Sequence, residues 1–210
     1  MDAPLARPKN YNMSETTIIN LLRHGEVELG NVFCGSTDAT LSDLGWAQMQ
    51  KSLEDEESWN RIITSPLQRC FEFAESLASQ EEVELVVNPE FKEMDFGAWE
   101  GRSPKIIQEE DGQLLSDWWK SPTRVVPPEG EAFLDFRSRV LKAFHEMAKK
   151  YEGENLLLIT HAGVIRVIMM HILGMQDENL FRLNVDYASM TKIRIYHDET
   201  GEWGTLISHG

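Results

Sequence analysis

The chain has 210 residues, enough for one substantial hydrophobic core, and its 35 acidic and 20 basic side chains give a net charge of −15. An acidic chain repels a polyphosphate backbone unless its basic residues are clustered. The longest basic run is the pair Lys149-Lys150, so we expect no nucleic-acid partner. Two cysteines, Cys34 and Cys70, exclude a framework of several disulfides and a four-cysteine zinc site.

The sequence carries no recognisable membrane or export signal. Its apolar runs are far shorter than the roughly 20 residues that span a bilayer. The first residues include Arg7 and Lys9 but no apolar region behind them, unlike a secretory signal. We therefore expect a cytoplasmic protein without a membrane partner, in which residues 1–16 form a disordered N-terminal extension and residues 17–210 form a single domain.

Short apolar runs alternate with helical patterns along the chain. In chain order the patterns predict strand 18–22, a helix capped by Ser42, strand 61–64, a helix from Pro66, strand 83–87, helix 133–151, strand 156–160 and helix 163–173. Two alternating segments, 190–197 and 203–207, predict a hairpin joined through residues 199–201 at one edge of the sheet. This alternation predicts an α/β fold, a three-layer sandwich with a mostly parallel central sheet.

Residues 98–130 interrupt this alternation. The segment contains Trp99, Trp118 and Trp119 together with four prolines. Long excursions in compact α/β units often serve function, so we predict an inserted lid over the sheet; an irregular surface connection held by aromatic residues is the alternative. The three tryptophans either stack on a heteroaromatic group of a substrate or form a small core of their own.

Polar side chains follow the ends of four predicted strands. Arg23 and His24 follow the first strand, Arg69 lies shortly after the second, Glu93 comes after the third, and His161 follows the fourth. Ligands of an open parallel sheet bind outside the carboxyl ends of its strands. We therefore predict that these five side chains meet at one edge of the sheet.

Such a set fits the chemistry of phosphate esters. Two arginines supply forked donors that match a phosphate, and a neutral imidazole can attack phosphorus and form a covalent intermediate. The second histidine can donate to phosphoryl oxygens, and Gly163, at the start of a helix, can add a backbone N–H. The carboxyl group of Glu93 can protonate the leaving oxygen and later deprotonate water.

Each of these residues also has a structural interpretation. A histidine after a strand is more often a structural residue with satisfied hydrogen bonds than a catalyst. Arg69, one turn into a helix, can form an ion pair with Glu72 or Glu75, and Glu93 can be a solvated loop carboxylate. The joint occurrence of all five residues favours the catalytic interpretation.

Four segments resemble the motifs of the histidine phosphatase superfamily, which has the phosphoglycerate mutase-like fold. They are LRHGE at 22–26, TSPLQRC at 64–70, EMDFGAWEG at 93–101 and THAGVIR at 160–166, in the family's order. The resemblance implies that His24 is the phosphorylated nucleophile and Glu93 the proton donor, with Arg23, Arg69 and His161 around the phosphate. It also implies that neither a metal nor another cofactor is needed.

Segment 93–101 resembles the phosphatase branch, and segment 127–133 resembles alpha-ribazole phosphatases and their broad-specificity relatives. These relatives usually have Ser where this chain has Ala132, which removes one polar contact. The resemblance implies a phosphoric monoester hydrolase of the histidine acid phosphatase type, acting through a phosphohistidine on a small phosphorylated metabolite, for example alpha-ribazole 5′-phosphate in cobalamin synthesis. The alternatives are a phosphoglycerate mutase and a catalytically idle module that binds phosphate esters or phosphoproteins.

The same resemblance assigns further residues to the substrate region: Asn31, Cys34, Gly35, Thr37, Ala162 and Gly163. Many members have Asn one position earlier than Asn31, where this chain has Gly30. Mutases have Thr where this chain has Cys34, and a thiol is a poorer hydrogen-bond partner than a hydroxyl, which weighs against mutase activity. A small, buried apolar role is the alternative for Cys34, and Arg166, inside a helix, is interpreted as structural.

Overall fold

The computed structural model describes residues 16–54, 56, 58–198 and 201–210. Residues 1–15 of the predicted N-terminal extension lie outside the described residues, and its last residue, Thr16, begins the first strand. Residues 199 and 200 of the predicted hairpin turn also lie outside them. None of the helices in the described ranges is both long and apolar enough to cross a membrane.

Strands and helices alternate along the described part of the chain. The strands are β1 Thr16–Arg23, β2 Arg61–Thr64, β3 Glu84–Val87, β4 Asn155–Thr160, β5 Met190–Asp198 and β6 Gly201–His209. The α-helices are α1 Asp43–Lys51, α2 Gln68–Glu81, α3 Pro104–Lys120, α4 Phe133–Lys150 and α5 Ala162–Ile172. Short 3₁₀ helices lie at Pro89–Phe91, Gly97–Trp99 and Asp177–Arg182.

The strands form one six-stranded sheet in the order β3-β2-β4-β1-β5-β6. Strands β3, β2, β4 and β1 are parallel to one another. Strand β5 pairs antiparallel with β1, and β6 pairs antiparallel with β5 at the edge. The predicted sheet, mostly parallel with a hairpin at one edge, is therefore confirmed, and the carboxyl ends of β1, β2 and β4 lie side by side.

Helices cover both faces of this sheet, which confirms the predicted three-layer α/β sandwich. In β4, Leu156 and Leu158 belong to one buried cluster with residues of α4 and α5. Leu157 and Ile159 belong to a second cluster with residues of α1 and α2. All four side chains are fully buried, as an uninterrupted apolar strand predicts, and each buried aliphatic side chain contributes about 1.5–3 kcal/mol to folding.

The start of α2 differs from the prediction by two residues. The helix begins at Gln68 rather than Pro66, and Leu67 is its N-cap residue in an extended conformation. The N–H of Leu67 donates to the Ser65 hydroxyl at 3.3 Å. This local hydrogen bond turns the chain before the helix begins, because serine side chains compete for backbone groups at such positions.

Helices α1 and α4 differ in how they are capped. The Ser42 hydroxyl accepts a hydrogen bond from the N–H of Gly45 at 3.0 Å, which confirms the predicted cap of α1. Ala132 is the N-cap residue of α4 and makes no side-chain hydrogen bond there. A serine cap contributes about 1 kcal/mol, so the departure at Ala132 leaves α4 without that stabilisation.

The first turn of α1 packs backbone to backbone against the loop that follows β1. A Cβ atom on Gly25 would lie 2.2 Å from the carbonyl oxygen of Gly45, and a Cβ atom on Gly45 would lie 2.1 Å from that of Glu26. Only glycine allows so close an approach. The contact fixes the backbone of the loop in which His24 lies.

The predicted insert, residues 98–130, contains α3, which is kinked at Asp111. Trp99 and Trp118 are buried, with ring centroids 5.6 Å apart. They are core residues, but they belong to the large buried cluster that includes residues of the sheet, α4 and α5 rather than to a small core of the insert alone, and Trp119 is 43% exposed. The prediction that the insert acts as a lid stays a prediction.

Candidate active site

The carboxyl ends of β1 and β4 bring the two candidate histidines together. The strands pair in register up to Arg23 and Thr160, and the N–H of His24 donates to the carbonyl of Thr160 at 2.9 Å. The rings of His24 and His161 follow these residues, with centroids 5.2 Å apart. The predicted convergence of the two histidines is therefore confirmed.

A cavity of about 320 Å³ lies beside this edge of the sheet. The predicted site residues that line it are Arg23, His24, Asn31, Cys34, Glu93, Ala162 and Gly163. Arg69, His161, Gly35 and Thr37 lie outside this lining, and Arg69 and His161 are fully buried. Within the described residues, no three or more His, Cys, Asp or Glu side chains are grouped so that they could hold a metal ion.

His24 presents an unprotonated nitrogen at the cavity. Its Nδ1 lies 2.8 Å from the carbonyl oxygen of Gly25, and because a carbonyl only accepts, Nδ1 carries the proton. Burial lowers the pKa of His24 well below 6.5, and the charges of Arg69 and Arg23 lower it further. The ring is therefore neutral at physiological pH, with its lone pair on Nε2.

His161 has both ring nitrogens engaged with protein groups. Arg69 Nε donates to His161 Nδ1 at 3.3 Å, so the proton of the ring is on Nε2, which lies 2.8 Å from the Ser65 hydroxyl. Burial lowers the pKa of His161 well below 6.5, and the positive charge of Arg69 lowers it further. A contact between His161 and a phosphoryl oxygen therefore stays a prediction, and it requires Nε2 to exchange Ser65 for that oxygen.

Arg69 is occupied by the backbone of residues 34–37. Its Nη1 donates to the carbonyl of Thr37 at 2.7 Å, and its Nη2 donates to those of Cys34 and Gly35 at 3.2 and 2.7 Å. The predicted alternative, an ion pair with Glu72 or Glu75, is wrong, because the guanidinium points into the protein. The expectation that Arg69 presents its forked donors to an open phosphate site is not met in this structure.

Glu100 holds the same segment from its other side, and the sequence reasoning missed this role. Its carboxylate accepts hydrogen bonds from the N–H groups of Gly35, Ser36 and Thr37 at 2.9–3.1 Å. It also accepts from the Thr37 hydroxyl and from the N–H of Phe96. Glu100 lies inside a recognised motif, but its partners at residues 35–37 lie more than 60 residues earlier in an irregular loop, so no local pattern indicated these contacts.

Glu93 is buried rather than solvated, so the interpretation as an exposed loop carboxylate is wrong. Its Oε1 accepts from the N–H of Met94 and its Oε2 from the N–H of Gly163, both at 2.9 Å. The first turn of α5 therefore orients this carboxylate toward the cavity. The prediction that the Gly163 N–H serves a phosphate is corrected, since Glu93 already accepts its hydrogen bond.

The residues assigned to the substrate region fall into two groups. Asn31, Cys34, Ala162 and Gly163 line the cavity. Burial raises the pKa of the Cys34 thiol, which lies 3.7 Å from the carbonyl oxygen of Thr37 and is only partly buried. Gly35 and Thr37 face Glu100 and Arg69 instead, so they shape the wall of the site without lining the cavity.

Arg23 has donors that no described protein group accepts. Its Nη1 donates to the carbonyl of Val185 at 2.6 Å, and its Nε is buried without a partner. The guanidinium lies 4.0 Å from the ring centroid of Tyr187, a cavity residue that the sequence reasoning missed. Burial lowers the pKa of Arg23, yet a guanidinium keeps its charge at neutral pH, so the cavity presents a positive group that suits an anion.

Two further features complete the cavity wall. Arg166 Nε donates to the carbonyl of Leu183 at 2.9 Å, which confirms its structural interpretation, but the side chain also lines the cavity. Trp119 lines an aromatic part of the wall, with its ring centroid 4.6 Å from Phe181 and 6.2 Å from Phe33. The cavity therefore combines a cationic end with an aromatic wall.

Replacement of Glu100 tests how the segment 35–37 is held. Hydrogen bonds to a charged group contribute about 1.5–3 kcal/mol, so Glu100→Ala should lower the free energy of unfolding by at least about 2 kcal/mol in urea denaturation. The control is Glu110→Ala, which removes a carboxylate that is 62% exposed and pairs with Arg102. It should change stability by less than about 1 kcal/mol, and equal losses in the two variants would contradict the assigned role.

The two lowered histidine pKa values make stability depend on pH. Below pH 6.5 the unfolded chain protonates both imidazoles, while folded His24 and His161 remain neutral. The unfolded state then binds more protons, so the free energy of unfolding should fall on acidification, by up to about 1.4 kcal/mol per pH unit for each imidazole. Urea denaturation between about pH 7.5 and 5.5 measures this slope, and an equal slope in His24→Asn would contradict the prediction.

Comparison with known proteins agrees with the geometry of the site. The model of the histidine phosphatase superfamily (branch 1) matches residues 19–203. A bifunctional protein of Mycobacterium tuberculosis is 32% identical over 187 residues, which cover 87% of this chain and 51% of that protein. The chain thus spans about half the length of this relative.

Two relatives carry phosphatase names. The metal-independent phosphoserine phosphatase of Arabidopsis thaliana is 30% identical over 166 residues, which cover 76% of this chain and 70% of the relative. The crystal structure of the alpha-ribazole phosphatase of Shigella flexneri is similar with a TM-score of 0.77 at 27% identity, covering 91% of this chain and 95% of that one. Because the family model spans most of the sequence, this chain belongs to the histidine phosphatase superfamily (branch 1).

Proposed function

We propose that the protein is a phosphoric monoester hydrolase of the histidine acid phosphatase type, which needs no metal and acts through a phosphohistidine on a small phosphorylated metabolite. Membership of the superfamily supports phosphatase chemistry. The observation that carries the proposal is the state of His24, whose Nδ1 is fixed by the carbonyl of Gly25 at the wall of the cavity. A neutral imidazole with a free Nε2 is a competent nucleophile.

In the first step, Nε2 of His24 attacks phosphorus while the bond between phosphorus and the ester oxygen breaks. The departing oxygen takes a proton from the carboxyl group of Glu93. Negative charge on the phosphoryl oxygens is stabilised by the guanidinium of Arg23, whose Nε lacks a protein partner. The products are a phosphohistidine and the free alcohol.

In the second step, water attacks the phosphorus of the phosphohistidine. Glu93, now a carboxylate, takes a proton from the water as the bond between phosphorus and Nε2 breaks. The electron pair of that bond returns to Nε2, and inorganic phosphate leaves. His24 and Glu93 are thereby restored to their starting protonation states.

Arg69 and His161 support this reaction from behind His24. The imidazole of His161 lies beside that of His24, with the two centroids 5.2 Å apart, and the Arg69 guanidinium donates a hydrogen bond to His161. The positive charge of Arg69 favours the phosphoryl dianion even without direct contact, because the buried surroundings screen it weakly. The family resemblance implies direct contact with phosphate. For His161, a phosphoryl oxygen would then replace Ser65 as the hydrogen-bond partner, and for Arg69 it would replace a loop carbonyl.

The best substrate candidate is alpha-ribazole 5′-phosphate. The aromatic wall at Trp119 and Phe181 suits a leaving group that carries a heteroaromatic ring, and the relative from Shigella flexneri is named for this activity. We assign contacts with the leaving group to Asn31, Cys34 and Ala162, which line the cavity. The mutase and the idle binding module remain the alternatives that the experiments below distinguish.

Substitution of the two proposed catalytic residues tests the chemistry. His24→Ala should lower kcat/KM for p-nitrophenyl phosphate by at least about 10³-fold, or about 4 kcal/mol. Glu93→Gln should slow turnover by about 10²–10⁴-fold and allow a phosphorylated protein to accumulate, which intact-protein mass spectrometry detects. The controls are His145→Ala and Glu90→Gln, which alter exposed side chains away from His24, and full activity of His24→Ala would refute the mechanism.

A substrate panel in the presence of a metal chelator tests the ester preference. It compares alpha-ribazole 5′-phosphate, O-phosphoserine, 3-phosphoglycerate and p-nitrophenyl phosphate, with mutase turnover of 3-phosphoglycerate assayed alongside. We expect kcat/KM for the ribazole ester to exceed the others by about 10³-fold, which corresponds to about 4 kcal/mol of transition-state binding. Comparable rates on all esters would refute the substrate while leaving the chemistry intact, and dependence on a bisphosphate primer would identify a mutase.

A further inference from the structure

We infer that Arg139 is a positioning residue for Glu93, which sets the efficiency of proton transfer without touching the substrate. The inference rests on the proposed role of Glu93 as acid and base. Arg139 lies on α4, outside the motifs that resemble the family, and it does not line the cavity beside His24. Among the described residues, its hydrogen-bond partners are the chain segment that carries Glu93 and Glu131, just before α4.

The guanidinium of Arg139 holds the backbone on the N-terminal side of Glu93. Nη1 donates to the carbonyls of Glu90 and Lys92 at 2.7 and 2.9 Å. Nη2 donates to the carbonyl of Glu93 itself at 3.1 Å. Three carbonyls within four residues therefore converge on one charged side chain, and hydrogen bonds from a charged donor are about twice as strong as neutral ones.

Glu131 extends this support to the other side of Glu93. Its carboxylate binds Arg139 through both oxygens, with Nε and Nη2 at 2.7 and 2.9 Å. The N–H of Glu131 donates to the carbonyl of Asp95 at 2.8 Å, and its Oε2 accepts from the N–H of Asp95 at 3.3 Å. The pair therefore fixes the chain at residues 90–93 and again at Asp95, with Glu93 between the two fixed points.

This double attachment matters because proton transfer depends on distance. The Glu93 carboxylate is held at its far end by the N–H groups of Met94 and Gly163, while Arg139 holds its backbone. A general acid acts over a heavy-atom separation of about 2.6–3.2 Å, and a displacement of about 1 Å can lower a rate 10²-fold. Arg139 and Glu131 are about one-fifth exposed, so solvent competes weakly for their contacts.

The alternative is that Arg139 only stabilises the packing of α4. The two roles differ in which substrates they affect, because nitrophenolate leaves without help from an acid, whereas an alkoxide needs the proton of Glu93. A packing role lowers activity on both kinds of ester equally. A positioning role lowers kcat/KM selectively for esters with alkoxide leaving groups.

The test measures kcat/KM of Arg139→Met on 4-nitrobenzyl phosphate and on p-nitrophenyl phosphate, two aryl-bearing esters that differ in leaving group. We expect a loss of about 10–100-fold on the benzyl ester and less than about 3-fold on the phenyl ester. Turnover of the phenyl ester should also accumulate phosphorylated protein, because hydrolysis of the phosphohistidine needs Glu93 as base. The matched control is Arg137→Met on the same helix, whose partner is Asp177, and it should leave the ratio of the two esters unchanged.

The outcomes separate this inference from the proposed function. Equal losses on both esters in Arg139→Met, with selective loss in Glu93→Gln, would overturn the positioning role and leave the mechanism standing. Equal losses of kcat/KM on both esters in Glu93→Gln would overturn the role of Glu93 as acid, and the inference about Arg139 with it. If Arg139→Met does not fold, Arg139→Lys takes its place, because lysine keeps the charge but lacks the forked donors of the guanidinium. The same ratio of kcat/KM on the two esters then decides the outcome.

Discussion

The site depends on the buried positive charge of Arg69. Its described hydrogen-bond partners are backbone carbonyls and the imidazole of His161, and a buried charge without a counter-charge is costly. Glu100 supplies the counter-charge on the other side of this loop. The carbonyls of Cys34, Gly35 and Thr37 accept hydrogen bonds from Arg69, while the N–H groups of residues 35–37 donate to Glu100. Peptide dipoles aligned between the two charges thus stabilise both and hold the loop in one conformation.

The same charge, together with burial, keeps the nucleophile unprotonated. Burial and the nearby Arg69 and Arg23 lower the pKa of His24, so the ring keeps the lone pair that attack on phosphorus requires. The positive charges of Arg69 and Arg23, which disfavour a proton on His24, also attract the phosphoryl dianion. The local field at the site is therefore opposite in sign to the net charge of −15, which is carried by the rest of the surface.

The sequence allowed the fold and the meeting of the histidines to be predicted, because both follow from where apolar strands end. It did not allow the hydrogen-bond partners to be predicted. The N–H of Gly163 donates to Glu93 rather than to a phosphate, and Arg69 donates to loop carbonyls rather than to a neighbouring acid. Such choices depend on the path of irregular segments, for which neither a period of 3.6 nor a period of 2 gives information; Tyr187 was missed for the same reason.

The cationic end and the aromatic wall of the cavity come from different parts of the fold. This difference explains why the reaction class is easier to predict from the sequence than the substrate. The cationic end comes from Arg23 at the carboxyl end of β1 and from Arg166 on α5, the helix that follows β4, and the parallel pairing of β1 and β4 makes the position of this end predictable. The aromatic wall combines Trp119 from the insert with Phe181 from the 3₁₀ helix Asp177–Arg182 and Phe33 from the loop after β1. These three rings come together only in the folded protein. The motifs therefore identify phosphoryl chemistry, whereas the choice of ester is set by contacts that no single segment of sequence encodes.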